Sequence, residues 1–290
     1  MKNRTNGKAS YYQDTLKRFR KHKLAMIGCA VLLIEVLLFF GLPLVMDLDP
    51  FAIDKTAMPY SPPSEQHIMG TDAVCRDNFA RFIYGGKVSI MIGILTSVLA
   101  FLIGVPLGML AGYYRGVVEM VIMRACEILR CLPAMVVILL IASVAGPSLV
   151  TLILIMGFLS FPPVCRLMYA NVISYKEKDY VEAAKAVGTK DGRIMFQYIF
   201  PNAISPLLVA FTFNCASSIL MESGLSYLGL GVKAPQASLG NILNSCRSIA
   251  VISSMPWMWV VPGIALIVTV LCINFFGDGL RDAFDPRTKI

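Results

Sequence analysis

Histidine is almost absent from this chain of 290 residues: only His22 and His67 occur. A zinc site of the H-E-x-x-H kind therefore has no ligands, and no G-x-S-x-G elbow supplies a nucleophile instead. There is also no G-x-x-x-x-G-K-[ST] loop, so the chain does not bind and hydrolyse ATP by that route. Charge is scarce too. Charged residues make up 15% of the sequence and apolar residues 57%, whereas a soluble domain carries about a quarter charged residues. None of the eight cysteines forms a C-x-x-C pair. Cys29, Cys126, Cys131, Cys165, Cys215 and Cys272 fall in or beside apolar runs and read as small packing residues, while Cys75 and Cys246 fall in loops where they could pair.

What the chain does have is long apolar runs, the mark of a membrane protein. Six spans are expected: Leu24 to Met46, about Val88 to Gly112, about Ala125 to Ala145, about Ser148 to Tyr169, about Ala203 to Glu222, and Trp257 to Gly277. Residues 1–23 form a basic arm with eight Lys or Arg against the single acid Asp14. Before an apolar run, such an arm reads as an anchor at the anionic cytoplasmic leaflet rather than as a nucleic-acid binder. Residues 47–87 lack that positive excess and are placed outside. Lys176, Lys178, Lys185, Lys190 and Arg193 then fall inside, as do Arg281, Arg287 and Lys289 in the tail at 281–290. Both termini are expected in the cytoplasm.

Within the second span, Ala100, Gly104, Gly108 and Gly112 recur every fourth residue and put a stripe of small side chains on one helix face. Helices in lipid associate through close backbone approach, which such a stripe permits. Pro106 in the same helix suggests a local kink. Glu35, Glu127 and Arg130 are charges at membrane depth, where they face protein or water rather than lipid. Glu127 and Arg130 are spaced to pair on one helix face, and Glu35 is expected to pack in a protonated or hydrogen-bonded form.

The segment between the fourth and fifth spans, about 176–200, is the most informative. Asp179 followed by Glu182 has capping-box spacing and predicts a helix start. Gly188 predicts its end, because glycine takes a left-handed turn easily. A second short helix should run toward Pro201, which fits the first turn of the fifth span.

Glu182, Ala183, Ala184, Gly188 and Pro201 resemble the EAA loop of ABC importer permeases, with its spacing intact. The stretch from His67 through Gly70, Thr71, Asp72, Cys75, Arg76 and Asp77 resembles the pattern H-P-L-G-T-D-x-x-G-R-D of the peptide and nickel branch. It departs from that pattern at Cys75, where the family has glycine. Leu225 to Gly231 and Gly277 to Arg287 extend the resemblance, which covers the chain from Leu24 to Arg287.

The resemblance implies an all-α membrane protein of six transmembrane helices with the type I ABC importer permease fold. Residues 88–280 would form the permease core. Asp179, Glu182, Ala183, Ala184, Gly188 and Pro201 would belong to a coupling loop docked on an ATPase. It further implies a homologous second permease subunit, two ATPase subunits that hold the ATP and magnesium, and an extracytoplasmic substrate-binding protein. This chain itself would carry no catalytic residues, cofactor or metal, and would sit in the cytoplasmic membrane against lipid. Peptides are the expected cargo, with nickel or opine-like compounds as the alternative. A self-sufficient secondary transporter is the competing class. It is disfavoured because the chain shows neither an internal repeat nor clustered charge at the membrane midplane.

Overall fold

In lipid, every backbone N–H and C=O must find a partner within the protein, and a helix meets this need locally. The computed structural model describes residues 15–146 and 148–284. Lys2, Arg4, Lys8, Asp14, Asp285, Pro286, Arg287 and Lys289 lie outside the described residues. Among the described residues, five helices are long and apolar enough to cross a membrane, and a bent pair makes a sixth candidate span.

A short helix at 15–21 (α1) leads into α2, which runs from Lys23 to Val45. Helix α3 (Asn78–Tyr114) has 37 residues, a length of about 55 Å. Helix α4 (Gly116–Cys131) precedes α5 (Ala134–Ala145), and α6 (Leu149–Lys176) follows. Next come α7 (Asp179–Ala186) and α8 (Asp191–Tyr227). On the far side lie two short helices, α9 (Leu239–Ser245) and α10 (Ile249–Ser254), before α11 (Pro256–Phe284).

Several boundaries differ from the sequence reading, as the helices run beyond the expected spans and the third span is broken. Helix α3 begins ten residues before Val88 because Asp77 caps it, its carboxylate accepting the Phe79 N–H at 2.8 Å. Pro106 lies inside this helix, which continues on both sides of it. The third span is two helices bent by 84° rather than one. Pro133 drives its predecessor Leu132 out of helical geometry to φ −83°, ψ 131°. The 12 residues of α5 extend only about 18 Å, short of the roughly 30 Å hydrocarbon core.

Prolines also reshape α2 and α8. Each contains one π turn, at Leu37–Gly41 and Met195–Ile199, ending two residues before Pro43 and Pro201 respectively. A proline cannot donate to the carbonyl four residues back, and a widened turn accommodates the missing bond.

Helix α3 is the central element, and α6 lies along it. Ala100 is fully buried. A Cβ added to Gly104 would come within 2.8 Å of the Phe161 carbonyl oxygen, and one on Gly108 within 2.3 Å of that of Cys165. On Gly112 it would meet the Val172 Cβ at 2.7 Å. Backbone thus meets backbone along this face. Helix α11 makes similar approaches through Gly277 to Thr212 of α8 and through Gly279 to Ala25 of α2.

The charges at depth sort differently from expectation. Glu127 pairs with Arg124 at 2.7 Å and with Arg166 of α6 at 3.4 Å, not with Arg130. Arg124 lies three residues before Glu127 and Arg166 reaches it from a neighbouring helix, so the Arg130 side chain is left exposed. Glu35 lies beside Thr269 of α11, whose hydroxyl donates to the Ala265 carbonyl. Cys75 and Cys246 are both free thiols.

Candidate functional site

The loop at 176–200 folds into a helical hairpin against the ends of α3 and α6. Val181 and Ala184 of α7 are buried with Ile194, Met195 and Ile199 of α8, over Met109, Tyr113, Met168 and Val172. Tyr113 fastens the hairpin further: its hydroxyl donates to Asp191, and its carbonyl accepts from the Lys176 ammonium at 2.5 Å.

The start of α7 corrects the capping-box reading. Lys178 is the N-cap and makes no side-chain cap bond; its carbonyl accepts the amides of Val181 and Glu182. Asp179 is already helical, so its carboxylate and that of Glu182 lie in the first turn, at the positive end of the helix dipole.

The end of α7 is closed by a Schellman pair. Thr189 N–H donates to the Ala184 carbonyl at 3.1 Å and Gly188 N–H to that of Lys185 at 2.9 Å. This closure requires φ +75° at Gly188, a left-handed geometry that glycine adopts at no steric cost. A Cβ at Gly188 would meet nothing within 4 Å, so the residue faces away from its own chain.

The outer face of the hairpin is therefore well defined. Glu182, Ala183, Lys185, Ala186 and Gly188 are exposed, and Val187 is 81% exposed. Ala184 is turned inward and is 5% exposed, so of the two alanines only Ala183 offers itself to a partner. Pro201 stands at the start of the regular part of α8, and the adjacent Asn202 donates to the Tyr198 carbonyl and the Tyr180 hydroxyl. Partial burial, and then the nearby Tyr175 phenol, raise the Tyr180 phenol above its usual range.

The segment at 47–77 builds a second ordered feature. Gly70 has φ +65°, and a Cβ there would lie 2.2 Å from the Ser61 carbonyl oxygen. Thr71 is buried and its hydroxyl donates to the Met58 carbonyl. Asp72 accepts from Arg76 at 2.7 Å and lies 3.6 Å from Arg81, which itself donates to the Pro235 carbonyl and Asn241. Cys75 keeps φ +61°, so the glycine-like backbone persists without glycine, and its thiol donates to the Ala57 carbonyl. His67 lies 3.3 Å from Asp54 and 3.6 Å from Asp77. Bonds from the Thr56 hydroxyl and amide, then from His67, lower the Asp54 carboxyl to about 2.

One cluster was missed in the sequence. Glu222 is fully buried and accepts hydroxyls from Ser89, Ser223 and Ser226. The Ser89 hydroxyl oxygen also accepts the Leu239 N–H, and that of Ser226 the Val232 N–H. The visible signal was serine one and four residues after a glutamate at a span end. It was passed over because a charge there looks like a boundary.

Comparison with known proteins agrees with this architecture. Residues 104–290 match the family described as binding-protein-dependent transport system inner membrane component. Residues 10–63 match the N-terminal TM domain of oligopeptide transport permease C. A Brucella suis relative, whose name assigns it provisionally as a peptide permease protein, is 38% identical over 94% of this chain and 90% of its own. The dipeptide transport system permease protein DppC of Alkalihalophilus pseudofirmus is 35% identical over 97% of this chain and 91% of its own. Among solved structures, an inward-facing form of the MetNI methionine ABC transporter superposes with TM-score 0.58 at 18% identity, over 70% of this chain and 96% of that one. An amino acid ABC transporter with histidines gives 0.53, over 68% and 91%. These structures support the shared fold. The protein is a multi-pass inner membrane permease subunit, and it belongs to the family of binding-protein-dependent ABC transport system components of the oligopeptide permease C type.

Proposed function

We propose that this chain is one permease of an ATP-driven peptide importer and that the α7 hairpin couples it to an ATPase. The observation that carries this reading is the hairpin itself: apolar on its inner face, closed at Gly188, and bare on its outer face. Family membership implies partnership with ATPase subunits and a binding protein. In our reading the complex holds a homologous second permease, two ATPases that carry ATP and magnesium, and an extracytoplasmic binding protein that delivers peptide. Both termini are cytoplasmic. Glu182 and Gly188 make the ATPase contact, with Ala183 allowing close approach. The small-residue face of α3 keeps the core rigid while the permease pair rocks, and the outer Gly70 to Asp77 loop braces the far end.

ATP binding would draw the two coupling hairpins together and shift an inward-to-outward equilibrium, which hydrolysis resets. Peptide names among the relatives support the cargo assignment. The test is reconstitution with the partner permease, the ATPases and the binding protein, followed by uptake of labelled dipeptides, longer peptides and nickel. ATP-dependent peptide uptake is expected. Nickel uptake without peptide uptake would reassign the cargo, and uptake without any ATPase would overturn the importer reading.

A further inference from the structure

Hydroxyl groups in the membrane-spanning helices are mostly answered within the chain. Thr212 donates to the Val209 carbonyl, Thr269 to that of Ala265, and Ser97 to Asn214 Oδ1 at 2.9 Å. The buried Thr96 of α3 lacks a hydrogen-bond partner among the described residues, and so do Ser160, Ser217 and Ser218. Ser160 and Ser217 each stand near the middle of a 28-residue helix, Ser160 on α6 and Ser217 in the regular part of α8. Ser217 is exposed, Ser160 is half-buried, and among the described residues neither hydroxyl has a protein hydrogen-bond partner.

An unanswered hydroxyl at mid-depth is costly against hydrocarbon, so it belongs against water or protein. Ser160, Ser217 and Ser218 share one seam with Asn214, Met156, Met221 and Ala134, the last being the first residue of α5 after the bend. The seam encloses about 100 Å³, room for several waters. Its lining includes no ionisable side chain. A second groove, between α3 and the earlier part of α8 around Phe101, Leu102 and Phe211, holds about 510 Å³ and is lined by apolar side chains throughout. The two lengths of α8 therefore differ in kind: residues 196–211 suit lipid or an apolar helix, and residues 214–221 suit water and polar cargo.

We infer that the seam between α5, α6 and α8 is this chain's lining of the transport path, with Ser160, Asn214 and Ser217 as its hydrogen-bonding groups. The inference rests on the importer reading and adds residues and a mode of recognition to it. Hydroxyl and carboxamide groups can both donate and accept, and so they match the backbone amides that all peptides share. Without a fixed charge, the seam does not select among peptide side chains by sign. The thioethers of Met156 and Met221 adapt to varied shapes.

The test uses the complete transporter in lipid nanodiscs, with labelling read by mass spectrometry at each introduced cysteine. Ser160→Cys and Ser217→Cys should react with a hydrophilic maleimide, and labelling should drop when ATP and peptide-loaded binding protein are added. Leu102→Cys, on the apolar groove, should react only with a lipid-soluble maleimide. Ser217→Cys that reacts only with the lipid-soluble reagent, or with neither reagent, would overturn the assignment. A second measurement guards against a silent variant: Ser217→Asp should reduce uptake of acidic peptides relative to basic ones of equal length, and equal uptake of both would contradict the inference. Failure of the parent transporter to take up peptide, with the labelling pattern intact, would sink the cargo reading and leave the path assignment standing.

Discussion

Asp72, in the segment before α3, and Arg81, in the first turn of α3, meet with almost no exposure to solvent, 4% and 3% respectively, at an Oδ2 to Nε distance of 3.6 Å. Asp72 also holds Arg76, and Arg81 reaches on to the Pro235 carbonyl and Asn241. The motif therefore ties the segment before α3 to the segment before α9. Removing one partner of a buried ion pair leaves the other charge unmatched, at a cost of about 3–5 kcal/mol. Asp72→Ala should lower the melting temperature of the detergent-solubilised protein by several degrees, and Asp72→Ala with Arg81→Met should be less damaging than the single change. A single variant as stable as the parent would refute the tie.

The packing of α3 on α6 gives a second expectation. At Gly108 even a methyl group collides with backbone, 2.3 Å from the Cys165 carbonyl oxygen. Gly108→Leu should insert into the membrane normally but lose assembly and transport, with overpacking costing about 1–3 kcal/mol or more. Normal assembly of that variant would mean that α3 and α6 separate easily.

Acid should loosen the segment at 47–77 through Asp54. Its carboxyl lies at about 2 when folded, against an ordinary value of 3.8. A depressed carboxyl contributes stability that is present above the unfolded value and is lost as pH falls through the folded one. The Asp54 contribution should therefore persist at neutral pH and disappear between about pH 4 and pH 2. Protection of the Thr56 amide, which Asp54 accepts, relative to its intrinsic exchange rate should fall over that window, and Asp54→Asn should abolish that fall. Protection that stays unchanged across that window would contradict the Asp54 contribution.

Much of this architecture was legible because apolar runs and glycine spacing report directly on lipid exposure and helix contact. Gly188 could be read because a left-handed turn discriminates strongly among residues. The bend at Leu132 and Pro133 was hidden by the apolar residues on both sides, since a hydropathy run has no term for backbone geometry. Lys178 rather than Asp179 became the N-cap because boundaries turn on one residue's dihedral angles, which spacing does not determine. The inward turn of Ala184 and the serines around Glu222 depend on distant chain segments meeting, and no local pattern records that.

Topology has its own check. Cysteines introduced at Asn6 and Thr288 should both be protected from an impermeant reagent in intact cells and labelled after permeabilisation. Labelling of only one before permeabilisation would require an odd number of crossings.

The coupling claim is tested most directly at Gly188. Its φ of +75° closes the Schellman pair, and no atom of its own chain would touch an added side chain. Asparagine tolerates a left-handed backbone, whereas a β-branched residue does not. ATP-driven peptide uptake should therefore be measured for Gly188→Val and Gly188→Asn in the reconstituted transporter, with subunit content determined in parallel. The account predicts that the valine variant keeps its partners' binding-protein and ATPase activities but loses uptake, while the asparagine variant retains a substantial part of it. Uptake at the parent rate by the valine variant, with its ATPase subunits in place, would contradict the coupling role of the hairpin.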